Sequence, residues 1–310
     1  MNYREGEVID RILADGEFGM RKLIISGIEN DSVLRLNDPR MAEEETCLFH
    51  RNFTGGDDYL GALHASVADS ISARKHLPVV RFADGEYAFY GRSLQCNGLY
   101  RQAESVREIE ESMPMHAEAL KKLTQLGRIA PLVFPGNIRK RKRRFFGLLS
   151  SKSNPSARDF LEFLHRHDAD LGPGNYVPFY VVYAYLTSRR FAETVHGKNI
   201  CIVSSEFREE HAREAFGRLE SRPDLGFVEI PDSYVATQWP AMKDRTLAAI
   251  PADTDICLVG AGVGALPVCV DIAVKFSIPA IDAGHVLNMI NGREDKSNGP
   301  RLYTMWGVGH

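Results

Sequence analysis

Residues 255–282, DICLVGAGVGALPVCVDIAVKFSIPAID, decide the fold of this chain. An apolar run from Asp255 to Gly260 meets the glycines Gly260, Gly262 and Gly264. Apolar residues at helical spacing follow from Val263 to Phe276, and Pro279 to Asp282 reads as a second strand. Strand, tight turn, helix and strand in so short a span predict a parallel βαβ unit.

Working outward, the same grammar recurs. Asn199 to Ser204 is a strand candidate followed by a helix over Arg208 to Leu219. Leu77 to Val80 reads as a buried strand, preceded by an amphipathic helix from Tyr59 to Arg74 with Leu60, Leu63, Val67 and Ile71 on one face. A long helical stretch covers Gln102 to Leu126. A strand from Ile129 to Phe134 stops at Pro135 and Gly136. A further helix is expected near Ala157 to His165, whereas Tyr176 to Leu186 suits helix or strand. The alternation predicts an α/β domain over residues 56–290 with a doubly wound, mostly parallel, Rossmann-like sheet. A helical N-terminal extension over residues 1–55 and a C-terminal tail over residues 291–310 complete the expected organisation.

Composition narrows the function classes. The chain has 310 residues and a formal net charge of −3, which argues against general nucleic-acid binding. No apolar stretch approaches the roughly 18 residues of a membrane span, and the first residues lack the apolar core of a signal peptide. Five cysteines without CxxC spacing suit reduced thiols in a cytoplasm, not a disulfide frame or zinc site.

Chemistry is concentrated in two places. Arg81, Phe82, Ala83, Asp84, Gly85 and Glu86 end the Leu77 strand, and Asp-Gly-Glu reads as a tight turn at its carboxyl end. Ligands bind at that edge of an open α/β sheet, and two carboxylates so placed suit Mg²⁺ or Mn²⁺. Ala14 to Phe18 nearly repeats the string, but there Gly16 reads as the cap of a helix formed by Val8, Ile9, Ile12 and Leu13. Arg81 suits either a structural salt bridge or a phosphate ligand.

The glycine turn at 260–265 leaves three readings open. Gly260, Gly262 and Ala265 fit GxGxxA, and Asp282 stands where a ribose-binding acid is expected, which predicts an NAD(P)-dependent oxidoreductase. Only a Gly- and Asn-rich remainder follows Asp282, too short for the further βαβ units of a dinucleotide half. A second reading is close packing alone. In the third, the N-terminus of the Val263 helix receives a diphosphate.

The order RF-x-DGE after an early strand, then a late strand, glycine turn and helix, then Ala280-Ile281-Asp282-Ala283-Gly284-His285, resembles the bacterial GT-D-type glycosyltransferases. The resemblance spans about residues 75–290 and is densest at its two ends. It implies that Asp84 and Glu86 form the DxE metal pair for Mn²⁺ or Mg²⁺, and that Asp282, Gly284 and His285 match the late motif. Ile202 to Glu206 looks like the family's middle strand and loop, placing Ser204 and Ser205 with Gly260, Gly262, Gly264 and Arg81 among nucleotide-binding positions. Ala83 stands where the family has glycine, and Val286, Leu287, Asn288 and Met289 replace its acidic and aromatic residues. The implied reaction is metal-dependent transfer from a nucleotide-sugar donor to a glycan, glycoprotein or lipid-linked acceptor. Glu206, Asp232, Asp282 and His285 are the candidate proton acceptors. A catalytically silent nucleotide-binding module is the alternative from another class.

The basic run Arg139 to Arg144, followed by Phe145, Phe146, Leu148 and Leu149, fits three readings. They are a solvated loop, a flap over the diphosphate, or contact with an anionic membrane surface at the inner face.

Overall fold

The computed structural model describes residues 8–25, 34–36, 45–139, 156–292 and 303–305. Its centre is a six-stranded, wholly parallel sheet. Counting three strands in the N-terminal region, these six are β4 (Leu77–Phe82), β5 (Arg128–Pro131), β6 (Asn199–Ser204), β7 (Asp224–Glu229), β8 (Ile256–Gly260) and β9 (Pro279–Asp282), in spatial order β5-β4-β9-β8-β6-β7. Strands covered on both faces read as unbroken apolar runs, and all six residues of β4 are buried. The edge strand β7 carries Asp224, Gly226 and Glu229 and leaves Phe227 exposed. Its polar, half-open sequence hid it from pattern reading.

Three helices share one face: α4 (Val106–Leu126), α9 (Val235–Ala249) and α10 (Ala265–Phe276) pack on one another. Trp239 in α9 is buried, and its indole N–H donates to Asp271 Oδ2 of α10 at 2.7 Å. On the opposite face α2 (Gly56–Ala73) packs against α6 (Phe179–Leu186), α7 (Arg189–Thr194), β4 and β9. The ambiguous aromatic run is therefore helical, and all eight residues of α6 are buried. The chain leaves β6 through α8 (Glu209–Arg218) to β7 on one side, and leaves β8 through α10 to β9 on the other. This divergence makes the gap between β6 and β8 a topological switch point.

Two expectations are corrected. Residues before α2 are not simply helical: α1 (Val8–Ala14) is joined by β1 (Phe18–Lys22), β2 (Leu34–Leu36) and β3 (Thr46–His50). β1 and β3 form an antiparallel pair, and β2 pairs with β10 (Tyr303–Met305) from the C-terminal tail. The extension is fastened to the α/β body by Arg158 of α5 (Ala157–Arg166), which forks onto Asp10 at 3.0 and 3.1 Å. Secondly, Asp-Gly-Glu is not a turn. It is the first turn of α3 (Asp84–Tyr90), where acids favour the positive end of the helix and the Ala83 N–H donates to Glu86 Oε2 at 2.8 Å. Gly16 has φ +68° beyond α1, as its capping role requires.

Candidate active site

A cleft of about 1100 Å³ runs along the carboxyl edge of the sheet, and all six strands contribute to it or to the loop that leaves them. Of the residues singled out from sequence, Arg81, Asp84, Glu86, Ser204, Ser205, Gly260, Gly262, Asp282 and His285 line it. Glu206 and Gly264 are not among the lining residues. Glu206 pairs with Arg208 at 3.2 Å, and its carbonyl accepts from the Asn291 amide. A Cβ on Gly264 would come within 2.7 Å of Val235, so that glycine serves the packing of α9.

The floor of the cleft is an ion pair between strands far apart in sequence. Arg81 Nη2 donates to Asp282 Oδ1 at 2.9 Å, Arg81 Nε donates to the Asp282 carbonyl at 3.0 Å, and the Gly284 N–H also donates to Oδ1. Both side chains are more than nine-tenths buried. The guanidinium lies 4.7 Å from the centroid of the Tyr183 ring and 5.4 Å from that of Phe179, within reach of cation–π attraction. Burial opposes its charge, but Asp282 and Tyr183 outweigh that and hold Arg81 charged. Arg81 thus takes the salt-bridge role, and Asp282 is engaged by it.

Beside this pair stand the two carboxylates of α3. Burial pushes the Glu86 carboxyl from 4.5 up to about 7; the Ala83 N–H moderates the shift, while Asp282 adds to it. Burial among the cleft walls also raises Asp84, although its side chain reaches the open cleft. Glu86 accepts from the Ala83 N–H and from its own backbone N–H, and Asp84 has no hydrogen-bond partner among the described residues. No group of three or more His, Cys, Asp and Glu suited to a metal is found among the described residues. Two hard carboxylates fit the way Mg²⁺ is commonly held, with waters and substrate phosphates completing its shell.

The glycine turn is occupied by the protein itself. Gly262 has φ +53°, and a Cβ there would meet the Gln102 side chain at 2.7 Å. Gln102 Oε1 accepts from the Val263 N–H at 3.0 Å, and the Gly264 N–H donates to Ala261. Two of the amides that a diphosphate would need at this helix start are taken. With Asp282 engaged as well, the dinucleotide fingerprint loses both its phosphate cradle and its ribose acid.

Sequence reasoning missed Gln102, Tyr100, Tyr180, Tyr183 and Asn288. Asn97 Oδ1 accepts from the N–H groups of Gln102 and Ala103, and Tyr100 Oη contacts Asn288 at 3.4 Å. These residues are brought to the cleft by the tertiary fold and not by a motif, so local pattern carries no trace of them. Of the aromatic residues near the strand ends, Tyr90 and Trp239 are core, whereas Tyr234 lines the cleft. Arg139 lines it too; the rest of the basic run, Lys140 to Arg144, lies outside the described residues.

A family model for the GT-D fold-like domain matches residues 140–290, a little under half of the chain. Over that stretch the resemblance read from the sequence holds. The match takes in β6 to β9 and leaves out β4, Asp84 and Glu86. Among solved structures, a glycosyltransferase (DUF1792) from Streptococcus sanguinis aligns at 16% identity with a TM-score of 0.42, covering 73% of this chain and 81% of that one. No curated protein matches the chain. No helix among the described residues is long and apolar enough to cross a membrane.

Proposed function

We propose that this chain, which carries a GT-D-like domain match over residues 140–290, is a metal-dependent glycosyltransferase using a nucleotide-sugar donor. The observation that carries the reading is the pair of carboxylates, Asp84 and Glu86, raised together at the cleft wall without a cationic partner of their own. Arg81, the cation beside them, is committed to Asp282. Carboxylates left in this state are matched by a divalent cation, which would offset the burial that raises them. Asp84 and Glu86 would hold Mn²⁺ or Mg²⁺, and the ion would supply charge stabilisation for the departing diphosphate.

The chain's own residues do the rest. Arg81 and Asp282 fix β4 against β9, so that α3 and its carboxylates keep one position relative to His285. In the transfer, a bond forms between an acceptor hydroxyl oxygen and the anomeric carbon, the bond to the diphosphate breaks, and the hydroxyl proton passes to a base. Of the proton acceptors proposed in the site, Asp282 is engaged and Glu206 is not among the lining residues, whereas Asp232 and His285 line the cleft. A glycan or lipid-linked hydroxyl is the acceptor class we assign, with Arg139 at the cleft's β5 end facing any anionic carrier.

The test is thermal stabilisation by UDP, GDP, ADP, CDP and NADH with and without Mn²⁺, in wild type and Asp84→Ala. A metal-dependent rise in melting temperature with one nucleotide, absent in the variant, is expected. Stabilisation by NADH without metal, and by no nucleoside diphosphate, would overturn the reading.

A further inference from the structure

We infer that the β6–β7 end of the cleft is the nucleoside subsite and that Asp232 accepts hydrogen bonds from the ribose hydroxyls; this rests on the transferase reading above. Asp232 lies just past β7, lines the cleft at its exposed rim, and has no hydrogen bond or ion pair among the described residues. The Ser204 and Ser205 hydroxyls share that end of the cleft and are likewise uncommitted. A carboxylate and hydroxyls that line one cleft without protein partners can serve a diol: the carboxylate accepts, and the hydroxyls both donate and accept.

Three further observations converge on the same end. Asp282, the acid that the glycine turn would assign to a ribose, is spent on Arg81, so another acceptor must serve. The β6/β8 switch point, where open sheets bind ligands, opens beside Ser204 and Gly260. Tyr234, two residues beyond Asp232, holds a left-handed backbone at φ +63° while its N–H donates to the Arg101 carbonyl at 2.7 Å. A bulky residue kept in that region is a constraint that points to function, and its aromatic ring borders the subsite.

Spacing and charge then orient the ligand. β4 and β7 are four strand steps apart, about 19 Å at the usual ~4.8 Å spacing. That is the scale of an extended nucleotide sugar laid along the sheet edge. Asp232 repels phosphates and attracts a diol, so the phosphates run toward Asp84 and Glu86.

The experiment measures affinities of UDP, GDP, ADP and CDP and of their 2′-deoxy counterparts in Mn²⁺, for wild type, Asp232→Ala and Asp232→Asn. Wild type is expected to favour the ribose form of its nucleotide about tenfold. Asp232→Ala should bring that ratio close to one by weakening the ribose form alone; Asp232→Asn, of the same shape, should reduce it with an unchanged melting temperature. A ribose preference that survives both substitutions, or is absent from wild type, overturns the subsite while leaving the transferase reading intact. Failure of wild type to bind any of the eight nucleotides overturns the transferase reading and this inference with it.

Discussion

Glu86 concentrates the energetics of the cleft in one carboxyl. Its folded value of about 7 lies above the ordinary 4.5, so the folded protein holds the proton more tightly than the unfolded chain. The site is therefore most comfortable in acid, and it loses stability as pH rises from about 4.5 through 7. Glu86→Gln keeps an acceptor for the Ala83 N–H and removes the buried charge. The variant is expected to gain on the order of 3 kcal/mol at pH 8 and almost nothing at pH 4, measured by urea denaturation at both pH values. Equal stability at pH 8 would show that burial does not strain this carboxyl. The two acids were legible because a strand followed by carboxylates is a local pattern. A salt bridge was legible for Arg81 only as one of two options, and its partner Asp282 was not legible at all, since their strands meet across 201 positions of sequence.

At the scale of elements, sequence periodicity recovered most buried strands and most long helices, and missed β7, α3 and the 15-residue α9. β7 escaped because an edge strand needs few apolar residues. α9 begins with the non-glycine left-handed Tyr234 and contains Pro240, both of which read as loop. α3 was read as a turn because Asp-Gly is a turn signature, whereas here the acids serve the helix start and Tyr87, Phe89 and Tyr90 bury its far side. That burial is made specific by a polar chain linking three helices: Tyr90 Oη donates to His116 Nδ1 of α4, and His116 Nε2 donates to the Ala236 carbonyl of α9, at 2.9 and 2.8 Å. Burial lowers His116 from 6.5 to about 4, against the raising effect of the Ala236 carbonyl. The folded form then resists protonation, so its stability is whole above about 6.5 and is lost as pH falls toward 4. His116→Gln is expected to flatten this acid limb by on the order of 2 kcal/mol, read from denaturation midpoints between pH 7 and 4; an unaltered limb would refute the assignment. Glu86 and His116 titrate in opposite senses over one pH window, so wild type shows their partial cancellation and only the single variants expose each.

On the scale of the whole molecule, the matched stretch 140–290 and the working unit are different objects. β9 sits between β8 and β4, and α10 packs against α4 as well as α9. A fragment of residues 140–290 would leave β9 an apolar open edge and α10 half uncovered. It is expected to aggregate or to lack near-ultraviolet circular dichroism, while residues 56–290 form the sheet. A cooperative melting transition in the shorter fragment would disprove this. The adjacency of β4 and β9 also has a consequence for the birth of the protein. A ribosome adding about 5–20 residues per second reaches Asp282 roughly 10 to 40 seconds after Arg81. During that interval the early carboxylates and the apolar flank of β4 have no neighbour on one side, and no partly made chain holds a complete cleft. Newly made protein thus lacks an assembled cleft until its last buried strand arrives, and the waiting edge of β4 is where a chaperone would be needed.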